Sequence, residues 1–267
     1  DILVLPESIE QLREVLKVVK ETVVPLTLLG NGSNVLVRDK GIRGIVIKLG
    51  NMLRHFYEAE DLLVFGSGYS LALASYKAME CGKTGMEFAV GIPGSIGGAV
   101  YMNAGAYDGE MQNIVNCVKV MDLQGNERVL TAEELNFGYR KTSLQNSGLI
   151  VTEVTLKMPS GNKDEIKSKM DDFSHRRISK QPLEMPSAGS MFKRPPGYFA
   201  GTLIDQAGLK GYTVGGAQIS TKHAGFVVNV GGATAADVLQ LIKDVQTKIK
   251  AGVGVELQPE VLVIGEE

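Results

Sequence analysis

The chain has 267 residues, room for one large or two modest domains at roughly 150 residues each. Its 28 basic and 30 acidic side chains leave a formal charge of -2, which argues against a nucleic-acid backbone or an anionic membrane as main partner. Hydrophobic residues make up 44% and charged residues 22%, so a core is available and disorder is excluded; glycine is in excess, 32 residues or about 12% against about 7% on average. That excess suggests backbone passing close to something bulky.

The first segment, 1–5, is a strand-like run with no basic-then-apolar signal ahead of it, and its abrupt start suggests an upstream segment. Ser8 with Gln11 forms a capping-box pattern, and Ile9, Leu12, Val15, Leu16 and Val19 supply the apolar face of a first helix. Strands are predicted at 26–29, 35–37, 45–49 and 62–66. Ser70 caps a helix over 71–81 that Gly82 stops. The glycine-rich runs 91–98 and 103–107 leave no room for a long element, and the glycines and Pro93 also rule out a membrane helix in the uncharged stretch 88–107. Further strands are predicted at 115–122 and 149–156, with a turn at 124–126 and a short capping box from Thr131 to Glu134.

A domain boundary is placed near residue 158, where a turn at 160–162 precedes a polar helix over 163–180 with Ile166, Met170 and Phe173 facing inward. Beyond it come a helix at 200–207, a strand at 225–230, a helix opened by Thr234 and Asp237 and running to Gly252, and a strand-like segment over 253–264. The pattern is α+β.

Nucleotide motifs fail one by one. Gly82, Lys83 and Thr84 resemble the end of a P-loop, but Lys77 stands where its first glycine belongs. Gly30 with Gly32, and Gly66 with Gly68, begin dinucleotide fingerprints whose third glycine position holds Val35 and Leu71. Scattered histidines (His55, His175 and His223) and only two cysteines, Cys81 and Cys117, give no metal or hydrolase constellation and no disulfide framework, which makes a reducing, cytoplasmic compartment the default. What remains is two uncharged glycine loops at 30–34 and 91–98, each a surface turn or a nest of backbone N–H groups for an anion. Beside them stand Ser190 near Lys193 and Arg194, Arg140 after Tyr139, and Glu260 at the edge of an apolar strand. Taken singly, the first reads as a turn hydroxyl, the second as a surface ion pair, and the third as a carboxylate that needs a partner or a task.

In this order, Gly30-Asn-Gly-Ser-Asn34, Gly91-Ile-Pro-Gly-Ser-Ile-Gly-Gly98, Asn103-Ala-Gly-Ala-Tyr107, Tyr139-Arg140, Ser187-Ala-Gly-Ser-Met-Phe-Lys193 and Pro259-Glu260-Val261 resemble the UDP-N-acetylenolpyruvoylglucosamine reductase family over essentially the whole chain. The resemblance implies a two-part FAD-binding domain of the vanillyl-alcohol-oxidase type and a smaller α+β substrate-binding domain. The expected divisions are 1–49 and 50–157 for the FAD-binding subdomains, 158–252 for the substrate-binding domain, and 253–267 for a C-terminal strand returning to the FAD domain. It further implies non-covalent FAD, NADPH as co-substrate, and UDP-N-acetylglucosamine enolpyruvate as the substrate reduced in peptidoglycan synthesis. By motif matching, Arg140 would bind the substrate carboxylate, Glu260 would help stabilise the enol form, and Ser190 would deliver the proton. Fixed donors where charge develops, plus a positioned acid, are what such a reduction needs.

The cofactor contacts implied are Gly30, Asn31, Gly32, Ser33, Asn34 and Val35 for the pyrophosphate, and Gly91, Ile92, Pro93, Gly94, Ser95, Gly97, Gly98 and Ala99 for the flavin, with Asn103, Ala104 and Gly105 nearby. Tyr139, Lys180, Lys193 and Lys222 would contact substrate; for the lysines a solvated basic surface is the competing reading. No metal, nucleic acid or membrane partner is expected, and a monomer is. Arg194 replaces an asparagine found in some members, the tyrosine-bearing insert of one branch has no counterpart between Arg140 and Ser190, and an FAD-domain motif expected upstream of residue 1 is not in this sequence. Two alternatives stay open. A flavin oxidase of the same superfold commonly tethers FAD through a histidine or cysteine, and residues 30–34 contain neither; a non-catalytic nucleotide-sugar or flavin-binding protein is disfavoured by the intact Arg140, Ser190 and Glu260.

Overall fold

A computed structural model describes residues 1–50 and 53–267; residues 51 and 52, inside the expected second FAD-binding subdomain, lie outside the described residues. In chain order the elements are β1 (Ile2–Val4), α1 (Ile9–Thr22), β2 (Leu26–Leu29), β3 (Val35–Val37), β4 (Ile45–Lys48), β5 (Phe56–Ala59), β6 (Leu62–Gly66) and α2 (Leu71–Glu80). Then follow α3 (Ile96–Tyr101), β7 (Gly105–Ala106), β8 (Gly109–Glu110), β9 (Val115–Met121), β10 (Glu127–Thr131), β11 (Ile150–Lys157) and α4 (Lys163–Lys180). The last are β12 (Ser187–Ser190), α5 (Ala200–Gln206), β13 (Thr213–Val214), β14 (Ala217–Ile219), β15 (Phe226–Asn229), α6 (Ala235–Val253) and β16 (Leu262–Ile264). The chain forms two compact units, residues 1–32 with 44–175, and residues 33–43 with 176–267.

Among the described residues the first unit holds three sheets, the smallest the antiparallel pair β7-β8. A parallel sheet of order β1-β4-β2 carries α1, whose Leu12 and Leu16 are buried against Ile45, Ile47, Met121 and Ile150. Helix α1 starts where the Ser8 hydroxyl accepts from Gln11 N (3.1 Å) while the Gln11 side chain accepts from Glu7 N (2.7 Å), the reciprocal pattern expected of a capping box, moved one residue outward. The larger, antiparallel sheet has order β10-β9-β11-β6-β5. The period-two alternation of β11 and β9 sends Val154, Leu156 and Val118 into a core with Phe65, Phe88, Ala74 and Val100, so that α2 and α3 lie on one face of this sheet.

In the second unit an antiparallel sheet of order β12-β15-β14-β13 packs on α5 and α6, burying Ile219, Val227, Ile204, Leu241 and Val245 together. Strand β16 runs parallel to β3, and Leu36 joins the same core. Thr234 and Asp237 form the expected capping box, and Asp39 adds a second anchor at this helix start by accepting from Ala235 N (2.7 Å) and Ala236 N (3.0 Å). A carboxylate is favoured there because the first turn of a helix presents unpaired N–H groups.

Three expectations differ from what the structure contains. The division between units falls at His175–Arg176, within α4, and not near 158, because Ile166, Met170 and Phe173 pack on Val90, Met79 and Tyr107 of the first unit. Residues 33–43 group with the second unit, since β3 pairs with β16 and Asp39 binds α6. The segment 253–264 is not one strand: α6 runs on to Val253, Gly254 closes it with φ of 72°, and only Leu262–Ile264 is extended as ladder.

Candidate active site

The first unit brings the two glycine loops together. A Cβ built on Gly30 would stand 2.8 Å from Ser95 Oγ, so the turn after β2 touches the start of α3. The 91–98 run is held on the turn after β6, with Leu71 N donating to Gly94 O (3.1 Å), Ile96 N to Tyr69 O (2.9 Å) and Gly97 N to Ser67 O (2.9 Å). Gly91 and Gly94 take φ values of 71° and 133°, which a side chain would resist, and Gly32 at 70° is open where its Cβ would be. Gly98 is exposed on α3 and its N–H is accepted by the buried Ser95 hydroxyl at 3.3 Å. These features suit a dinucleotide cofactor: uncharged backbone in close approach, with no side chains filling the surface of Gly32 and Gly98. The unit division falls inside the first loop, Gly30, Asn31 and Gly32 on one side and Ser33, Asn34 and Val35 on the other. Sequence reasoning set aside Gly66 and Gly68 as a failed fingerprint; the structure makes this turn the support of the 91–98 loop, a role signalled by a Gly-x-Gly placed directly after a buried strand.

Arg140 lies in the same unit, in a tight turn where Gly138 and Lys141 exchange both main-chain bonds (2.9 and 3.1 Å). Its φ is 54°, in the left-handed region. The guanidinium donates to Asn103 O (3.4 Å) and Gly105 O (3.2 Å) and lies over the ring of exposed Tyr139, 5.2 Å from its centroid. Asn103 is wholly buried, and its side chain is engaged by Glu110, Gly138 and Gln112. Thus the Asn103–Gly105 segment reaches Arg140 as well as the α3 loop.

The second unit joins Ser190 to Glu260. Ser190 ends β12, exposed and paired with Phe226 of β15, after Gly189 at φ of 79°. On the other edge of the same segment Glu260 N donates to Met191 O (2.8 Å) and Lys193 N to Gln258 O (2.8 Å). Glu260 therefore lies beside the residue that follows Ser190, half-buried, and its carbonyl accepts from Asn34 Nδ2 (3.1 Å). Lys193 is half-buried on this strand extension. Lys222 Nζ donates to Ile178 O (2.9 Å) and pairs with Glu184 (3.6 Å), which brings it to the last turn of α4 where exposed Lys180 stands. His223, next along, is half-buried; burial pushes its imidazole below the ordinary value of 6.5, and its Nδ1 accepts from Gly225 N (3.1 Å). Among the described residues no group of His, Cys, Asp and Glu could hold a metal ion, and no helix is long and apolar enough to cross a membrane.

Comparison with known proteins finds two family models on this chain. Residues 1–131 match the family model of an FAD binding domain, and residues 181–264 match that of the C-terminal domain of UDP-N-acetylenolpyruvoylglucosamine reductase. A reductase of that name from Clostridium perfringens is 52% identical over 267 residues, covering 100% of this chain and 88% of the relative; one from Geobacillus thermodenitrificans is 50% identical with the same coverage. The crystal structure of UDP-N-acetylenolpyruvylglucosamine reductase from Thermus caldophilus superposes with a TM-score of 0.83 at 39% identity, over 98% of this chain and 91% of that one. The class is therefore an FAD-binding oxidoreductase of two-domain, mixed helix-and-strand fold. Within that class, the chain belongs to the UDP-N-acetylenolpyruvoylglucosamine reductase family.

Proposed function

We propose that this protein reduces UDP-N-acetylglucosamine enolpyruvate to UDP-N-acetylmuramate, a step of peptidoglycan synthesis, with NADPH as co-substrate and in the cytoplasm. Gly30–Val35 and Gly91–Ala99 would hold FAD, which when bound would supply hydride transfer from NADPH to the vinyl carbon of the enolpyruvyl group. Negative charge then builds on the adjacent carbon and its carboxylate. Arg140 offers a planar pair of N–H donors to that carboxylate and so lowers the energy of the charge as it forms. Ser190 Oγ donates the proton to the carbon that hydride does not reach, completing the lactyl ether. A serine is a weak acid, and it serves here because the carbanion-like centre is strongly basic and Lys193, on the same strand, favours the alkoxide left behind. Glu260 assists in stabilising the enol form. Lys180 and Lys222 meet the diphosphate of the substrate, and Tyr139 flanks Arg140 at the substrate.

The single observation that carries this reading is the backbone bond from Glu260 N to Met191 O at 2.8 Å. It supports the reading because it runs the backbone of Glu260 beside the residue that follows Ser190, although nothing about either residue in isolation requires the other. The test is an anaerobic visible spectrum of the holoenzyme, before and after NADPH and then after the enolpyruvyl substrate. The flavin band is expected to bleach and return. Ser190→Ala should leave bleaching by NADPH near normal and slow the return by about 10²–10⁴-fold, the worth of a positioned general acid. Equal slowing of both phases would remove the proton-donor role, and a band that never returns would remove the reductase reading.

A further inference from the structure

We infer that Asn103 is a positioning residue for Arg140, fixing the arginine from both ends so that its guanidinium meets a substrate carboxylate in one geometry. The inference rests on the role proposed above for Arg140. Asn103 has no exposed surface and takes φ of 42°, a strained setting for a side chain that must be maintained by its surroundings. Its carboxamide is fully used: Nδ2 donates to Glu110 Oε2 (3.0 Å) and to Gly138 O (3.0 Å), and Oδ1 accepts from Gln112 N (3.0 Å). With both donor directions and the acceptor taken, the amide has a single orientation. Gly138 O is also the acceptor that closes the turn onto Lys141 N, so Asn103 grips the turn that carries Arg140 at its first carbonyl. The main-chain oxygen of the same asparagine, together with that of Gly105, receives Nη1 and Nη2 of Arg140. One residue thus sets both the backbone from which the arginine springs and the place where its guanidinium rests.

The arrangement is more than turn stability requires. The Gly138–Lys141 turn is already closed by two backbone bonds, and Gln145 Nε2 donates to Arg140 O (3.1 Å) and to Tyr101 O (3.2 Å), tying the turn to the end of α3. What Asn103 adds is a fixed relation between that turn and the guanidinium. Bidentate carboxylate recognition depends on the angle of the guanidinium plane as much as on its distance, and small misplacements of a recognising group weaken the bound state disproportionately.

The experiment measures ligand binding by calorimetry on the oxidised holoenzyme, using UDP-N-acetylglucosamine enolpyruvate and UDP-N-acetylglucosamine, which lacks the carboxylate. Their affinity ratio isolates what the carboxylate contributes. In Asn103→Ala the ratio should fall about tenfold, the scale of one charge-assisted hydrogen bond, with binding of UDP-N-acetylglucosamine unchanged. Glu110→Ala, which removes one of the two acceptors holding Nδ2, should give the same selective loss at smaller size and serves if Asn103→Ala does not fold. The double variant Asn103→Ala with Arg140→Lys should show the same ratio as Arg140→Lys alone, because the asparagine acts through the arginine. Equal weakening of both ligands, or additive losses in the double variant, would reduce Asn103 to a structural residue and overturn the inference. An intact ratio in Arg140→Lys would instead overturn the carboxylate role of Arg140, whereas an intact ratio in Asn103→Ala and Glu110→Ala with a lowered one in Arg140→Lys overturns only the positioning.

Discussion

Replacing Gly97 by alanine would place a Cβ 2.6 Å from Ser67 Cβ, 3.1 Å from Ser67 O and 3.3 Å from Ser67 Cα. Ordinary carbon contacts lie at about 3.5–4.0 Å, so the overlap is about 1 Å. Ser67 cannot withdraw freely, because its N–H donates to Thr152 O (3.0 Å) and its carbonyl accepts from Gly97 N (2.9 Å). Overpacking of this kind costs about 1–3 kcal/mol, partly offset by the gain of about 1 kcal/mol from alanine in a helix. With an overlap near 1 Å against a tethered residue the upper end of that range applies, and the net loss of about 2 kcal/mol corresponds to a Tm lower by about 4–8 °C for a domain of this size. The same methyl group on the next residue meets different surroundings. Gly98 is exposed, and its Cβ would find only Ser95 Oγ at 3.3 Å, a hydroxyl that can shift by a few tenths of an ångström. Gly98→Ala should therefore melt within about 1 kcal/mol of the parent or above it, yet on the proposed placement of the cofactor against α3 it should bind FAD about tenfold more weakly, the methyl meeting the ligand where it would approach the backbone. Thermal melts of the apo forms and fluorescence titration with FAD separate the two effects. A Gly97→Ala protein that melts with the parent would refute the steric argument, and a Gly98→Ala protein with parental FAD affinity would refute the placement of the cofactor against α3.

Two further outcomes follow from burial. Among the described residues Ser67 Oγ is enclosed without a hydrogen-bond partner, so Ser67→Ala, which keeps the Cβ packing and removes that hydroxyl, should raise stability by about 1 kcal/mol and Tm by about 2–4 °C in a thermal melt; a lower Tm would show that the hydroxyl is bonded after all. For His223, burial lowers the folded-state pKa below 6.5, so unfolding takes up a proton in the interval between the two values. Its contribution to stability is complete above the unfolded value, near pH 6.5, and is lost as pH falls through the lower folded value. Urea melts between pH 7.5 and 5.5, a range of about two units around that value, should show stability declining toward acid, with a shallower decline in His223→Asn, whose side-chain oxygen can still accept from Gly225 N. Identical slopes in both proteins would assign the decline to other groups.

Elements with strong local signals were legible in the chain before its fold was known. Helices α1, α2, α4 and α6 each combine a side-chain cap with a recurring apolar face, and strands β2, β3, β4 and β6 are short apolar runs bounded by turn residues. In the second unit β15 falls within the run expected at 225–230, whereas β12, β13 and β14 carry no such signal. β12 is Ser-Ala-Gly-Ser and β13 has two residues, so neither shows alternation; β12 is a strand because β15, whose Phe226, Val227 and Val228 are buried, offers it an edge, and β13 because β14, itself paired to β15, offers it the other. The unit division was missed for a related reason. Polarity changes near 158, but Ile166, Met170 and Phe173 keep the first half of α4 in the core of the first unit, and packing outweighs composition.

The candidate site was legible only as an ensemble. Elementary chemistry left Ser190 a turn hydroxyl, Arg140 a surface cation and Glu260 a carboxylate at a strand edge; the order of motifs along the whole chain gave them roles. Neither reading contained what relates the segments of Ser190 and Glu260 in space, because that relation runs largely through main-chain atoms that carry no residue identity. Met191 O takes Glu260 N, Glu260 O takes Asn34 Nδ2, and Leu262 N returns to Asn34 O. Asn34 was assigned to the cofactor by its glycine-loop neighbours, yet its side chain fixes the backbone of the candidate catalytic carboxylate. Asn103 was assigned in the same way and is instead enclosed among Glu110, Gln112, Gly138 and Arg140. In both cases an asparagine beside a glycine loop spends its carboxamide on the main chain of another segment. The reason is physical: a loop that lets a ligand approach bare backbone has no side chain to define its own shape, so that shape must be set from behind, by groups that bond to main chain on the far side.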